Sequence, residues 1–155
     1  MTTPLESALI VAHVLAAVVG FGALGATGGY ARAARRSDAG PLPAAVRRYF
    51  APGRNLAGLA LFLVPVFGVA LLATGHWHAL RQPFPWVGIG AWVTAAGLAT
   101  AVSWPAEREI RALLAADAPF EQRRLWALAR RCERAAGAAA VLFVVALAFM
   151  VVQPR

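Results

Sequence analysis

The sequence predicts an all-α integral membrane protein, a four-helix bundle of up-and-down topology in a single domain, 1–155. Three observations predict it. Of 155 residues, 60% are hydrophobic and 14% charged, against about 45–50% and about 25% in a soluble domain. Four apolar runs reach the ~20 residues that a bilayer crossing takes. The arginines crowd into two of the three connections between those runs.

The first run covers about 5–31. It opens on Thr3-Pro4-Leu5-Glu6, with Thr3 as cap, Pro4 in the first turn and Glu6 reaching back. No basic residue precedes it, so it reads as a retained helix and not a secretory signal. The second run, 52–74, contains Pro65, where a kink is expected to free a backbone carbonyl near Leu61. The third, 85–104, is bounded by Pro105, and the fourth covers 135–152. Lipid offers the backbone no partner, so each run must be helical. Between the third and fourth, EREIRALLA and FEQRRLWALARRCERAA carry apolar residues at helical spacing. They are expected to extend the two helices out of the membrane or to lie along its anionic surface. The stretch GPLPAAVRRYFAPG predicts a turn, a short amphipathic piece and another turn.

Charge sets the expected orientation. Arg32, Arg35, Arg36, Arg47, Arg48 and Arg54 follow the first run, and seven arginines lie between the third and fourth. Only Arg81 lies between the second and third. Arginine-rich connections face the cytoplasm, which puts both termini and residues 76–86 outside. All fifteen basic residues are Arg and none is Lys, a coding pattern of GC-rich bacteria, so the expected location is a bacterial inner membrane. The net charge of +8 then reports topology and not nucleic-acid binding. The arginine clusters are expected to meet anionic lipid headgroups. The single Cys132 excludes an internal disulfide.

Within the first run, GFGALG fits the dinucleotide fingerprint by letter. That motif needs a preceding strand and an acidic residue ~20 positions on. Here apolar sequence flanks both sides, so the glycines are read as packing residues. His13, Ala16, Ala17, Gly20, Thr27 and Ala31 fall on one helical face, and Gly22, Gly25 and Gly29 on the opposite one. The first face leaves room at Gly20 for something bulky beside the backbone, the close approach that a cofactor held by His13 would use. The second suits packing within the bundle or against another subunit.

His13 is the most informative residue. It sits roughly 10 Å below the outer helix end at ~1.5 Å per residue. Ionisable residues at that depth usually face the bundle interior. A neutral histidine there either bonds a neighbouring helix, most naturally at the Pro65 kink, or ligates haem or a metal. His76 and His78 flank Trp77. On a helix two such positions do not face each other, so they read as an outer-surface anchor or, less directly, a metal pair. Trp77 and Trp86 suit an interfacial aromatic belt. No Asp, Glu, Lys or Arg falls at hydrocarbon depth, and no nucleophile stands beside a base, so no catalytic residue is assigned.

The run LIVAHVLAAVVGFGALGATGGYARAARR resembles the first helix of the small bacterial membrane proteins called domain of unknown function 2269. The shared features are an early histidine, a glycine-rich second half, basic residues immediately after, and four spans. A more distant similarity is to the copper-resistance D proteins and the bacterial membrane protoporphyrinogen oxidase, a haem b family. That resemblance implies His13 as a haem ligand. The oxidase also uses a lysine, which this chain lacks, so only ligation by His13 carries over. The expected function is a structural, accessory or small-ligand-binding subunit without its own catalysis, with a homo-oligomer or another membrane protein as partner. The alternatives are a haem b or metal-binding redox protein centred on His13, and a small-solute transporter or channel subunit.

Overall fold

The computed structural model describes residues 3–37, 41–51, 56–116 and 122–152, apart from the side chains of Gly75, His76 and Ala79. Among them there are helices and no strands. Four helical stretches are long and apolar enough to cross a membrane: Pro4–Arg36, Leu56–Thr74, Pro83–Ala115 and Gln122–Val152. The architecture is that of a multi-pass membrane protein.

Helix α1, Pro4–Arg36, starts on a reciprocal cap. The Glu6 amide donates to Thr3 Oγ1 at 3.2 Å, and the Thr3 amide donates to the Glu6 carboxylate at 2.8 Å. Arg35 and Arg36 close the helix, where the dipole favours cations. The short helix α2, Ala44–Tyr49, buries Val46 and the following Phe50. A 3₁₀ turn at Leu56–Leu59 leads into α3, Ala60–Leu71, which contains Pro65. It leaves through a π turn, Leu72–His76, and a 3₁₀ turn, Trp77–Arg81.

Helix α4, Pro83–Leu98, does not stop at Pro105. A π turn over Ala99–Ser103 joins it to α5, Trp104–Ala115. Proline has no N–H for the carbonyl four residues back. The widened turn absorbs this, because the Trp104 amide reaches Ala99 O five residues back. Helix α6 spans Gln122–Val152. The two polar segments are thus continuous with the third and fourth helices.

Helix α1 packs against α3 and α6, and α6 also holds α4 and α5. Two cores result. The arginine-rich end collects Phe50, Ile110, Leu125, Leu128 and Cys132 between α1, α2, α5 and α6. The middle of the bundle is narrower: Leu24, Leu61, Ala95, Ala96, Ala99 and Ala139. There Gly28 meets Ala136 so closely that a Cβ on Gly28 would overlap the alanine methyl. Toward the far end full burial stops, although interhelical contacts continue at Gly68 with His13 and at Gly88 with Met150. No described residue of α6 after Ala139 is buried, and none of α1 before Ala16.

Candidate functional site

The site predicted around His13 forms where α1 crosses α3. The His13 ring lies with Nδ1 2.9 Å from Val64 O. A carbonyl can only accept, so Nδ1 carries the proton. In the neutral ring Nε2 then keeps the lone pair. Nε2 has no hydrogen-bond partner among the described residues, and it is not sealed in the interior.

Two glycines let the ring and the backbone come this close. A Cβ on Gly68 would sit 3.4 Å from His13 Cε1 and 3.7 Å from Nδ1. A Cβ on Gly20 would sit 2.6 Å from both Cα and N of Leu61, a distance that backbone atoms cannot yield. Seven positions separate His13 from Gly20 and seven separate Leu61 from Gly68, so the two contacts set an antiparallel register. In α1 the small residues recur at helical spacing on the α3 face for this reason.

Pro65 supplies the polar chemistry. It has no N–H to donate to Leu61 O. That freed carbonyl is taken by the Trp92 indole of α4, Nε1 to O 2.8 Å, and not by His13. The histidine takes the carbonyl of Val64, the residue before the proline. One proline turn therefore ties α3 to both neighbours. Trp92 and Gly68 were not singled out from sequence. A signal for Trp92 exists: it lies in the middle of an apolar run, away from the interfacial belt, and a buried indole N–H needs an acceptor.

The threonine hydroxyls at membrane depth bond carbonyls of their own helices, while the buried Ser103 Oγ has no hydrogen-bond partner among the described residues. Thr94 donates to Gly90 O at 2.8 Å and Thr100 to Ala96 O at 2.8 Å. Thr27 donates to Ala23 O at 3.1 Å and meets Tyr49 OH at 2.6 Å. Such back-bonds satisfy the hydroxyl within its own helix.

The other sequence-predicted residues stand apart. Gly22, Gly25 and Gly29 are exposed, with nothing within 4 Å of an added Cβ. His78 is exposed in the 3₁₀ turn beyond α3. The His76 side chain lies outside the described residues. In the α1–α3 register Gly68 is level with His13, so residue 76 lies about 12 Å further along the axis. The Trp86 indole donates to Leu80 O at 2.9 Å and pins this end loop. Among the described residues no group of three His, Cys, Asp or Glu could hold a metal ion.

Carboxylates and guanidinia pair at the arginine-rich end. Glu133 bridges Arg32 at 3.4 Å and Arg35 at 3.0 Å. Glu107 pairs with Arg111, and Glu109 of α5 with Arg124 of α6. Cys132 is fully buried, its Sγ 3.8 Å from Ser103 O. Comparison with protein families, curated proteins and solved structures finds no match to this chain.

Proposed function

We propose that the chain is an accessory subunit of a bacterial inner membrane, without catalysis of its own. Its spans run up and down with both termini outside, and it self-associates through the Gly22, Gly25 and Gly29 face. The observation that carries this reading is the bond from His13 to Val64 O. The ionisable residue deepest in the apolar runs is spent on joining two helices at a proline. Trp92 does the same at Leu61 O, and the membrane-depth threonines bond their own helices. The opposite face of α1 offers small, uncovered residues, which suit close helix approach in lipid. The orientation rests on the arginine asymmetry.

The test is the mass of the purified protein in mild detergent. Gly25→Leu with Gly29→Leu is expected to turn an oligomer into a folded monomer, which melts lower only by the stabilisation that association supplied. An oligomer that survives both changes, or a wild type that is monomeric in detergent and in bilayer discs, rejects the face.

A second reading is favoured by one specific observation, the tautomer of His13. A ligating histidine usually donates its other ring N–H to a carbonyl or carboxylate, which orients the ring and raises its basicity. His13 has this arrangement, and the part of α1 above it is not buried. His13 Nε2 would hold a haem b, which when bound supplies one-electron exchange. Among the described residues no second histidine approaches, since His78 lies near the far helix end. The test is an absorption spectrum of the oxidised and dithionite-reduced protein. A Soret band that shifts on reduction and disappears in His13→Ala is expected for ligation. A flat visible spectrum after haem supplementation rejects it.

A further inference from the structure

We propose that the groove between α1 and α2 binds the phosphate headgroup of an anionic phospholipid. The proposal stands on the membrane-spanning architecture and is independent of the role of His13.

The groove has a volume of about 590 Å³ and is lined by Tyr30, Ala44, Ala45, Arg48 and Tyr49. Its position is that of a headgroup. Tyr30 ends the apolar part of α1, and Arg32, Arg35 and Arg36 follow within two turns. Tyrosines are favoured at this level, because the ring suits the acyl boundary and the hydroxyl suits water.

The walls are preformed. Tyr30 stacks on Tyr49 with ring centroids 4.3 Å apart, and Tyr49 meets Phe50 edge-on at 5.1 Å. Thr27 holds Tyr49 OH at 2.6 Å. Val46 and Phe50, each 1% exposed, fasten α2 to the bundle. A ligand entering such a groove orders little that is not already ordered.

Arg48 supplies the charge. Arg32, Arg35, Arg111 and Arg124 each face a carboxylate. Arg48 is exposed on the rim and has no ion pair among the described residues. A guanidinium fork matches two phosphate oxygens at once. Ala44 and Ala45 leave the adjoining space open, where a longer side chain would fill it. The general attraction of arginine clusters for acidic lipid thus gains one address with a shape.

The test titrates phosphatidylglycerol and phosphatidylcholine into the full-length protein in mild detergent and counts bound lipid by native mass spectrometry. Wild type is expected to hold one phosphatidylglycerol in preference to phosphatidylcholine. Arg48→Gln is expected to weaken that binding about tenfold, the size of one charge-assisted contact. Ala45→Leu, which keeps the charge and fills the groove, is expected to weaken it similarly. Arg131→Gln removes an exposed charge from α6 and is expected to change nothing. Equal binding by all variants overturns the proposal, and so does an equal loss in Arg131→Gln, which would make the attraction diffuse. Arg48-dependent stabilisation by soluble glycerol phosphate, without a phosphatidylglycerol preference, overturns the lipid and assigns the groove to a free phosphate ester.

Discussion

At the arginine-rich end, α1, α2, α5 and α6 enclose Phe50, Ile110 and Leu125 almost completely. At the other end of the same helices, Val144 is 62% exposed and Val151 76%. The side chains are equally apolar, but the solvents differ. Where water surrounds the protein, burying apolar surface is the main driving force, at ~25 cal/mol per Å². In lipid that gradient is gone, and helices hold by close approach and by hydrogen bonds. The wet end is therefore built from large side chains and ion pairs. The membrane part is built from Gly20, Gly28, a row of alanines and two bonds at a proline. Substitutions should sort by region and by mechanism, not by hydrophobicity.

Gly20→Leu should have the largest effect. The new side chain meets the Leu61 backbone, which cannot move aside as a flexible side chain would. A loss of at least about 3 kcal/mol is expected, seen as a lowered Tm in detergent. Gly25→Leu meets nothing within its own chain and, with both proteins compared as monomers, should stay within about 0.5 kcal/mol of wild type. Equal losses would mean that α1 has no special contact face. Leu125→Ala should follow at about 3 kcal/mol, the ordinary result of emptying a filled core. Val144→Ala, lipid-facing in α6, should stay within about 0.5 kcal/mol. If Val144→Ala matched Leu125→Ala, the two halves would share one packing mechanism, and the contrast between them would fail.

The bonds at the proline come next. His13→Ala and Trp92→Phe should each lower stability by about 1 kcal/mol, a typical value for a hydrogen bond between membrane helices. Both acceptors, Val64 O and Leu61 O, belong to the turn that Pro65 disturbs. The double variant should therefore lose less than the sum, because breaking either bond loosens the same turn. Full additivity, measured by melting the four proteins of the cycle, would make the two bonds independent.

Much of this was legible in the sequence, and what was not has a physical cause. Run length and arginine placement are properties of single helices, so the four spans could be read directly. Glycine spacing put His13 and Gly20 on one face of α1 and Gly22, Gly25 and Gly29 on the other, since helical geometry alone decides that. The site could be read in outline: a polar histidine, a proline, a freed carbonyl. Its actual wiring could not. Which carbonyl His13 takes depends on Trp92, which lies 31 positions from Leu61 in the chain and competes for the carbonyl Pro65 frees. Pro105 bounds the apolar run without ending the helix, for a related reason. Proline normally ends a helix, but a π turn lets the backbone rejoin its ladder beyond it, and no residue in ATAVS announces that choice. The folding of α2 onto α1 through Thr27 and Tyr49 is likewise a tertiary contact without a local signature.

The smallest effect separates the two regions most cleanly. Glu133→Gln removes one carboxylate shared by Arg32 and Arg35, whose side chains are 55% and 38% exposed. Solvent screens such pairs, so about 0.5 kcal/mol is expected at low salt. The screening length falls from ~10 Å at 0.1 M to ~3 Å at 1 M, and the difference from wild type should fade over that range. His13→Ala should show the same loss at both salt concentrations, because its bond to Val64 O carries no formal charge for ions to screen. A salt-independent Glu133→Gln would mean that its ion pairs are shielded from water like the membrane core. A salt-sensitive His13→Ala would mean that the interaction lost there is ionic and open to water, and the contrast between the two regions would fail.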